Sequence, residues 1–363
     1  MSVARAVVLA ALLPLIFLFT PLPKDNNCLH AVPIAFGAKV EVNCDAWGII
    51  EPAVTLTYPR WHEGWRSPGL VLFTAALAPV LSILPAPIGF ELDRKASRLG
   101  LPSWISPKIY AIGPIFNLCV LLIAFWLARQ LVETDTVFAL FACIATCDLT
   151  QGWFWQMHAA YLNLLVPLGC VYCLLRRPPV LLFGAMVSVY PGVGIWIAAS
   201  FLGQHRWWWL VAALVPTIAV TTIPLWLGWP PMPHAPTNDD QFIWLFSAHP
   251  DFGARLVDFW HTLVTTFLRW PVLLMAVLLP LGPYGKGDRD FIAACVMALA
   301  ITLGAVFLVG NYAPRLFAGI DVLFFLVLAR ARMGNEPVGG VYLWLVAVVQ
   351  VVCAFLAPAV SLT

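Results

Sequence analysis

Charged residues are scarce in this chain: Asp, Glu, Lys and Arg make up 10% of the 363 residues, while hydrophobic residues make up 61%. Soluble domains carry about 25% charged residues, so the composition excludes an ordinary soluble fold and predicts an integral membrane protein. The net charge is only +2 and no basic tail is present. Nothing in the charge pattern therefore favours a nucleic-acid partner.

Several common catalytic motifs are also missing. The sequence has no Gly-x-x-x-x-Gly-Lys-Ser/Thr phosphate loop, no Gly-x-Ser-x-Gly elbow, no His-Glu-x-x-His zinc motif and no repeat of fixed period. Transport driven by a bound nucleotide therefore has no support. We expect no cofactor, and we do not expect a divalent metal.

Long apolar runs are what the chain has instead. A helix needs about 20 apolar residues to cross a bilayer, and about eleven runs approach that length. We therefore expect an all-α polytopic bundle, a single membrane domain over residues 1–363, with its first helix retained. The expected spans are 4–22, 69–86, 109–128, 136–150, 159–175, 180–201, 207–227, 258–281, 290–310, 315–330 and 340–358.

The orientation is predicted from Lys and Arg in short loops, which favour the cytoplasm. Loop 91–108 is basic, so we place it inside and let the other loops alternate strictly. The loops then expected inside are 205–206, 286–289 and 330–332. Those expected outside are a long first loop at 23–67, a later loop at 228–257 and the turn 311–315.

Arg176 and Arg177 fall outside under this assignment, against the rule. A re-entrant segment at 136–158 would repair that pair but would place 228–257 inside. Strict alternation is therefore kept.

The first loop, 23–67, is unusually polar for this chain and contains Asp25 and Asp45. Its only cysteines are Cys28 and Cys44. An oxidising exterior permits a disulfide between them, and two free thiols are the alternative.

Two stretches resemble membrane glycosyltransferases of the GT-C fold that use lipid-linked sugars. The first runs from Asp45-Ala-Trp-Gly to Arg66-Ser-Pro-Gly-Leu70, and the second is His158-Ala-Ala-Tyr161-Leu-Asn163 with the later Arg176-Arg177 and Tyr190-Pro191. The second is similar to the middle of mannosyltransferases that depend on polyprenyl-phosphate mannose. The resemblance implies a multi-span fold, a polyprenyl-phosphate sugar donor and a catalytic acid in the first exterior loop.

Such a reaction needs a base for the acceptor hydroxyl and cations for the departing phosphate. Asp45 is the preferred base because Trp47 and the residues after it suggest a helix at the membrane surface. Asp25, closer to the first span, is the second candidate. For each aspartate a solvated loop carboxylate is the alternative.

The candidates for donor and acceptor binding lie on several loops. Arg315 is the preferred phosphate ligand, because Pro314 breaks a helix beside it and exposes backbone groups; an arginine reaching the interface is the alternative. Arg66 shares the side of Asp45. The remaining substrate-binding candidates are Trp47, Asn311, Tyr312 and His158.

His158 and the later loop leave alternatives open. Strict alternation places His158 on the opposite face from Asp45, so an interfacial belt position competes with sugar or phosphate binding. In 228–257, Asn238-Asp239-Asp240 could bind a hard cation, but binding of acceptor hydroxyls is favoured.

Two carboxylates, Asp148 and Asp321, fall within or beside apolar runs, where an acid is a functional hypothesis by default. Asp148 could be interfacial because it ends a short run. If Asp321 is buried, Arg269 or Arg315 is its expected partner.

The favoured function is transfer of a sugar from a polyprenyl-phosphate donor to a lipid-linked or cell-envelope acceptor, at the exterior face of a bacterial inner membrane. The expected partners are the bilayer, the lipid-linked donor and a glycan or glycolipid acceptor. The alternative is a transporter or flippase of a lipid-linked glycan, which would expect discontinuous helices or an internal repeat. A non-catalytic membrane subunit, or an acyl- or phospho-transfer enzyme, is the third hypothesis.

Overall fold

Helices dominate the structure, a computed structural model, so the all-α expectation is confirmed. Among the residues that the structure describes, three helices are long and apolar enough to cross a membrane, or four if one bent pair counts as a single span. About eleven spans and a GT-C architecture stay predictions. The residues described are 3–20, 29–33, 39–43, 46–56, 68–83, 112–133, 136–176, 194–203, 215, 218, 222–223, 226–228, 252–281, 284–285, 288–309, 314–333 and 336–356.

The helices and strands follow in chain order. Two 3-10 segments, Leu13–Phe19 and Ala159–Leu164, join or precede helices. The helices are α1 (Val3–Leu12), α2 (Trp47–Thr55), α3 (Pro68–Ile83), α4 (Ile112–Leu131), α5 (Val137–Thr146), α6 (Asp148–Trp153), α7 (Leu165–Leu175), α8 (Ile195–Leu202), α9 (Phe252–Phe267), α10 (Trp270–Leu281), α11 (Arg289–Val309), α12 (Pro314–Ala318), α13 (Asp321–Leu328) and α14 (Gly339–Leu356). The strands are β1 (Leu29–Pro33), β2 (Lys39–Asn43), β3 (Arg332–Met333) and β4 (Glu336–Pro337).

The first loop is more ordered than a plain polar insert. Strands β1 and β2 form an antiparallel hairpin in which Leu29 is opposite Asn43. Helix α2 begins at Trp47, as the sequence predicts for the residues after Asp45. Helix α2 packs against α3, and β2 packs against the segment Leu13–Phe19.

Three apolar runs are broken where the sequence predicts continuous spans. Helices α9 and α10 meet at 81° around Leu268 and Arg269, so a straight span at 258–281 is wrong. Pro271 offers a physical reason, since it has no N–H to donate to the preceding turn. The run 136–150 breaks at Cys147, whose backbone is extended, and the run 315–330 breaks at the turn Gly319–Ile320.

The pieces produced by these breaks are too short to cross a membrane alone. Helices α5, α10 and α13 have 10, 12 and 8 residues. At 1.5 Å per residue they are roughly 15, 18 and 12 Å long, against a hydrocarbon thickness of about 30 Å. The breaks therefore lie near half of the membrane depth if the far ends of these helices reach one surface.

Those far ends do meet at one end of the bundle, which we call the basic end. Arg330 donates to the Leu131 carbonyl (2.7 Å) and approaches Asp288 (3.8 Å), and Arg332 pairs with Glu133 (3.7 Å). Arg176 donates to Gln130 at the same end (3.2 Å). The basic end is thus formed by residues 130–133, 176, 288 and 330–332.

Strict alternation is therefore wrong for these loops. It places the loop after span 109–128 outside and 330–332 inside, whereas the structure joins them. Strict alternation and the structure agree that 130–133 and Arg176 share a side, so the count fails later, between Arg176 and Asp288. Arg176, which violated the positive-inside rule, now lies beside the other arginines of the basic end.

The opposite end, which we call the broken-helix end, lies beyond these breaks and holds the turn after α6. Asn117, near the start of α4, donates to the carbonyls of Trp153 (3.0 Å), Phe154 (2.8 Å) and Gln156 (3.0 Å). The indole of Trp155 donates to the Pro14 carbonyl (2.9 Å). The turn after α6 is thereby fixed against both α4 and the first helix.

Candidate functional site

Arg269 lies at the bend between α9 and α10, in the middle of an apolar run. Only 8% of its side chain is exposed. A buried guanidinium needs carboxylate partners to offset its lost hydration, and two other helix breaks supply them. Asp148 is the first residue of α6, and Asp321 is the first residue of α13.

Asp321 is the more deeply buried partner, with 2% of its side chain exposed. Nη2 of Arg269 donates to both of its carboxylate oxygens, at 2.9 and 2.8 Å. The expectation that a buried Asp321 pairs with Arg269 is confirmed. The pair ties α13 to the start of α10, and these two helices pack together.

Asp148 is the more accessible partner, with 19% of its side chain exposed. Its Oδ2 accepts a hydrogen bond from Nη1 of Arg269. An interfacial position alone does not describe Asp148, because it is bound to a buried guanidinium. Arg269, Asp148 and Asp321 together form what we call the Arg269 cluster.

Neutral hydrogen bonds support the helix that carries Asp148. The Thr150 hydroxyl donates to the Ile144 carbonyl (2.8 Å) and lies 3.0 Å from the Tyr161 hydroxyl. Gln151 donates to the Thr146 carbonyl (2.9 Å), across the break at Cys147. These contacts join α6 to the end of α5, beside the Asp148 carboxylate that binds Arg269.

His158 is placed by the same turn. It is buried, it packs against the Trp153 ring at a centroid distance of 4.9 Å, and its Nδ1 accepts from the Ala160 amide (2.8 Å). This burial does not fit an interfacial belt position. The turn that carries it also contacts Pro14 of the first helical segment through Trp155, while its role in binding stays a prediction.

Helix α12 carries Arg315 and lies next to the His158 turn. It packs against the segment Ala159–Leu164, against α6 and against α9. At its end, a Cβ on Gly319 would come within 2.9 Å of the Asn163 carbonyl carbon, so the two backbones touch. For Arg315 and for Trp47, at the start of α2, the structure describes the backbone but not the side chain.

The remaining predicted site residues lie outside the described residues. These are Asp25, Asp45, Arg66, Asn311, Tyr312 and the cysteines Cys28 and Cys44, together with residues 229–251 of the later loop. Within the described ranges no three His, Cys, Asp or Glu side chains are grouped as metal ligands. The structure therefore brings together the elements that flank the candidates rather than the candidate side chains themselves.

Arg269 is the residue that sequence reasoning undervalued. It entered only as a possible partner of Asp321, although it lies in the middle of the predicted span 258–281, whose other charged residue, Asp258, is at its first position. A charge inside an apolar run is expected to face the protein interior and a partner, and that signal identifies Arg269. No sequence signal shows that Asp148 shares the same guanidinium.

No protein-family model, curated protein or solved structure matches this chain.

Proposed function

We propose that this chain is a membrane glycosyltransferase that moves a sugar, with mannose as the first candidate, from a polyprenyl-phosphate donor to a lipid-linked or cell-envelope acceptor. The reaction would take place at the exterior face of a bacterial inner membrane. The observation that carries the proposal is the gathering of elements at the broken-helix end. Elements flanking Asp45, the His158 turn and the helix of Arg315 are linked there by direct packing.

Each step in this series of packed elements is a described contact. Helix α3, packed against α2, reaches α4 through Phe73 and Phe116, whose ring centroids are 5.4 Å apart. Asn117 then binds the turn after α6, and the segment following His158 packs against α12. The helix after the candidate base and the helix of the candidate phosphate ligand are thus connected through a series of described contacts.

The distribution of charge supports an exterior position for that end. Arg176, Arg330 and Arg332 lie at the opposite, basic end, and Lys and Arg favour the cytoplasmic side. With the basic end inside, the first loop, His158 and Arg315 all face out. This arrangement needs no exception for Arg176, but it gives up the inside assignment of the basic loop 91–108, which leads into the start of α4 at the broken-helix end.

The chemistry follows from what a lipid-linked sugar presents at a membrane surface. The acceptor oxygen attacks the anomeric carbon while a carboxylate, preferably Asp45 and otherwise Asp25, takes its proton. The bond from the anomeric carbon to the phosphate oxygen breaks, and the polyprenyl phosphate leaves with the extra negative charge. Arg315, with Arg66 as a second cation, would stabilise that charge.

A transporter or flippase is the second candidate, and one observation favours it. Discontinuous helices that meet near half of the membrane depth are typical of substrate and ion sites in secondary transporters. The Arg269 cluster lies at three such breaks. In a glycosyltransferase the same cluster would have a structural role, which is to hold the helices together.

The test is a transfer assay with the full chain in proteoliposomes. The donor is a polyprenyl-phosphate hexose labelled in the sugar, mannose first, and the acceptor is a total lipid extract of the host membrane. A labelled product distinct from the donor supports transfer. Movement of the labelled lipid across the bilayer without a product supports transport and contradicts the enzyme.

A further inference from the structure

The Arg269 cluster carries an unbalanced charge. Two ionised carboxylates and one guanidinium have a net charge of −1. The side chains of Arg269 and Asp321 are only 8% and 2% exposed. An uncompensated charge in such surroundings costs several kcal/mol. Buried acids usually avoid that cost by taking a proton.

The described ion pairs of the cluster involve Arg269 alone as the cation. The packed elements carry thiols and phenols, and also charged groups on α9 and α11. The thiols and phenols are Cys143, Cys147, Tyr161, Cys170, Tyr172, Cys173, Cys295, Tyr342 and Cys353, and the charged or titratable groups are Arg255, Asp258, His261, Arg289 and Asp290. Nδ1 of His158 accepts a hydrogen bond, so it carries no proton and the ring is not a cation. Arg315 lies on the neighbouring helix α12, and the structure describes its backbone but not its side chain.

Two polar atoms of the cluster have no hydrogen-bond partner among the described residues. Nε of Arg269 is buried and has no hydrogen-bond partner. Oδ1 of Asp148 forms no described hydrogen bond, whereas Oδ2 is held by the guanidinium. The cluster therefore has an unused acceptor oxygen on Asp148, which is also its more exposed carboxylate.

We propose that the Arg269 cluster is a proton-binding site in which Oδ1 of Asp148 takes up one proton. The oxygen–hydrogen bond forms with a proton from solution, and the cluster changes from −1 to neutral. Asp321 keeps both bonds to Arg269 and needs no proton. The exposed fraction of Asp148 provides the path for exchange.

A proton fits this site better than a metal cation does. A hard cation needs several oxygen ligands, and a cation beside Asp148 would lie close to the positive guanidinium. A proton needs one oxygen. It also leaves the hydrogen bond from Nη1 to Oδ2 in place.

This site goes beyond the proposed sugar transfer, because it uses neither the candidate base nor the candidate phosphate ligand. It adds an exchangeable proton at the place where three broken helices meet. The same proton is what a transporter coupled to a proton gradient would require.

Infrared titration of the full chain in nanodiscs tests the proposal without any substrate. Between about pH 9 and about pH 5, exposed aspartates stay mostly ionised, so a new protonated-carboxyl band reports an unusual acid. We expect the wild type to gain this band, and Asp148→Asn to lose it. Asp321→Asn should lose the band as well, because ionised Asp148 and Arg269 alone already form a neutral pair. Asp258→Asn removes an exposed carboxylate of α9 and should leave the band unchanged.

Two results would overturn the proposal. One is a band that persists in both cluster variants, which would assign the proton elsewhere. The other is a wild-type cluster signal that responds to sodium at fixed pH but not to pH, which would assign a metal cation. If Asp148→Asn does not fold, Asp321→Asn carries the same test.

Discussion

Removing the positive charge of Arg269 should destabilise the protein more than any surface change. Arg269→Gln leaves Asp148 and Asp321 facing each other without the three hydrogen bonds that the guanidinium supplies. Breaking a buried ion pair by removing one partner costs about 3–5 kcal/mol. Since each 1.4 kcal/mol is a tenfold change, the ratio of folded to unfolded protein should fall by more than about a hundredfold.

The free energy of unfolding should be measured by reversible denaturation in mixed micelles, with Arg289→Gln as the matched control. Arg289 is exposed at the start of α11, so its variant should lie within about 0.5 kcal/mol of the wild type. A second comparison isolates the effect of charge. A triple variant that combines Arg269→Gln with Asp148→Asn and Asp321→Asn should recover most of the lost free energy of unfolding. The reasoning is refuted if Arg269→Gln is no less stable than Arg289→Gln, or if the triple variant is as unstable as the single one.

Three further predictions follow from the packing at the two ends. Gly319→Ala should lower the stability by about 1–3 kcal/mol, because its Cβ would meet the Asn163 backbone. Gly304→Ala is the control, since a Cβ there meets nothing within 4 Å; equal effects in the two variants would contradict the close approach. Asn117→Ala should cost about 1–3 kcal/mol, because it removes the amide that donates to the turn after α6, and an unchanged unfolding curve would count against that role. An epitope inserted between Met333 and Glu336 should be protected from protease in intact spheroplasts, whereas one inserted within 57–67 should be cut; the reverse pattern would invert the orientation.

The helical class and one key contact could be predicted from composition and from rare charges. Low charge and long apolar runs indicate membrane helices, and the lone Arg269 in its run was a reasonable partner for Asp321. The breaks were harder to foresee. Pro271 offers a signal for the bend beside Arg269, but Thr146-Cys147-Asp148 contains no glycine or proline, so nothing local shows that α5 ends there.

The error in orientation has the same physical origin. Counting apolar runs assumes that each run crosses the membrane once. The sequence predicts three spans between Arg176 and Asp288, yet both residues lie at the basic end, so one run in this stretch is miscounted. A single miscounted crossing moves every later loop to the other side. The contact between Arg330 and the Leu131 carbonyl depends on tertiary packing that no single run encodes.

The central claim is that a carboxylate of the first loop activates the acceptor for sugar transfer, and the most direct test is the rate of labelled product formation in the proteoliposome assay. Asp45→Asn, or failing that Asp25→Asn, should lower this rate by about 10²–10⁴-fold, the usual contribution of a general base. Glu51→Gln, which changes another acid of the same loop, should leave the rate close to that of the wild type. Product formed at the wild-type rate by both aspartate variants would contradict the account.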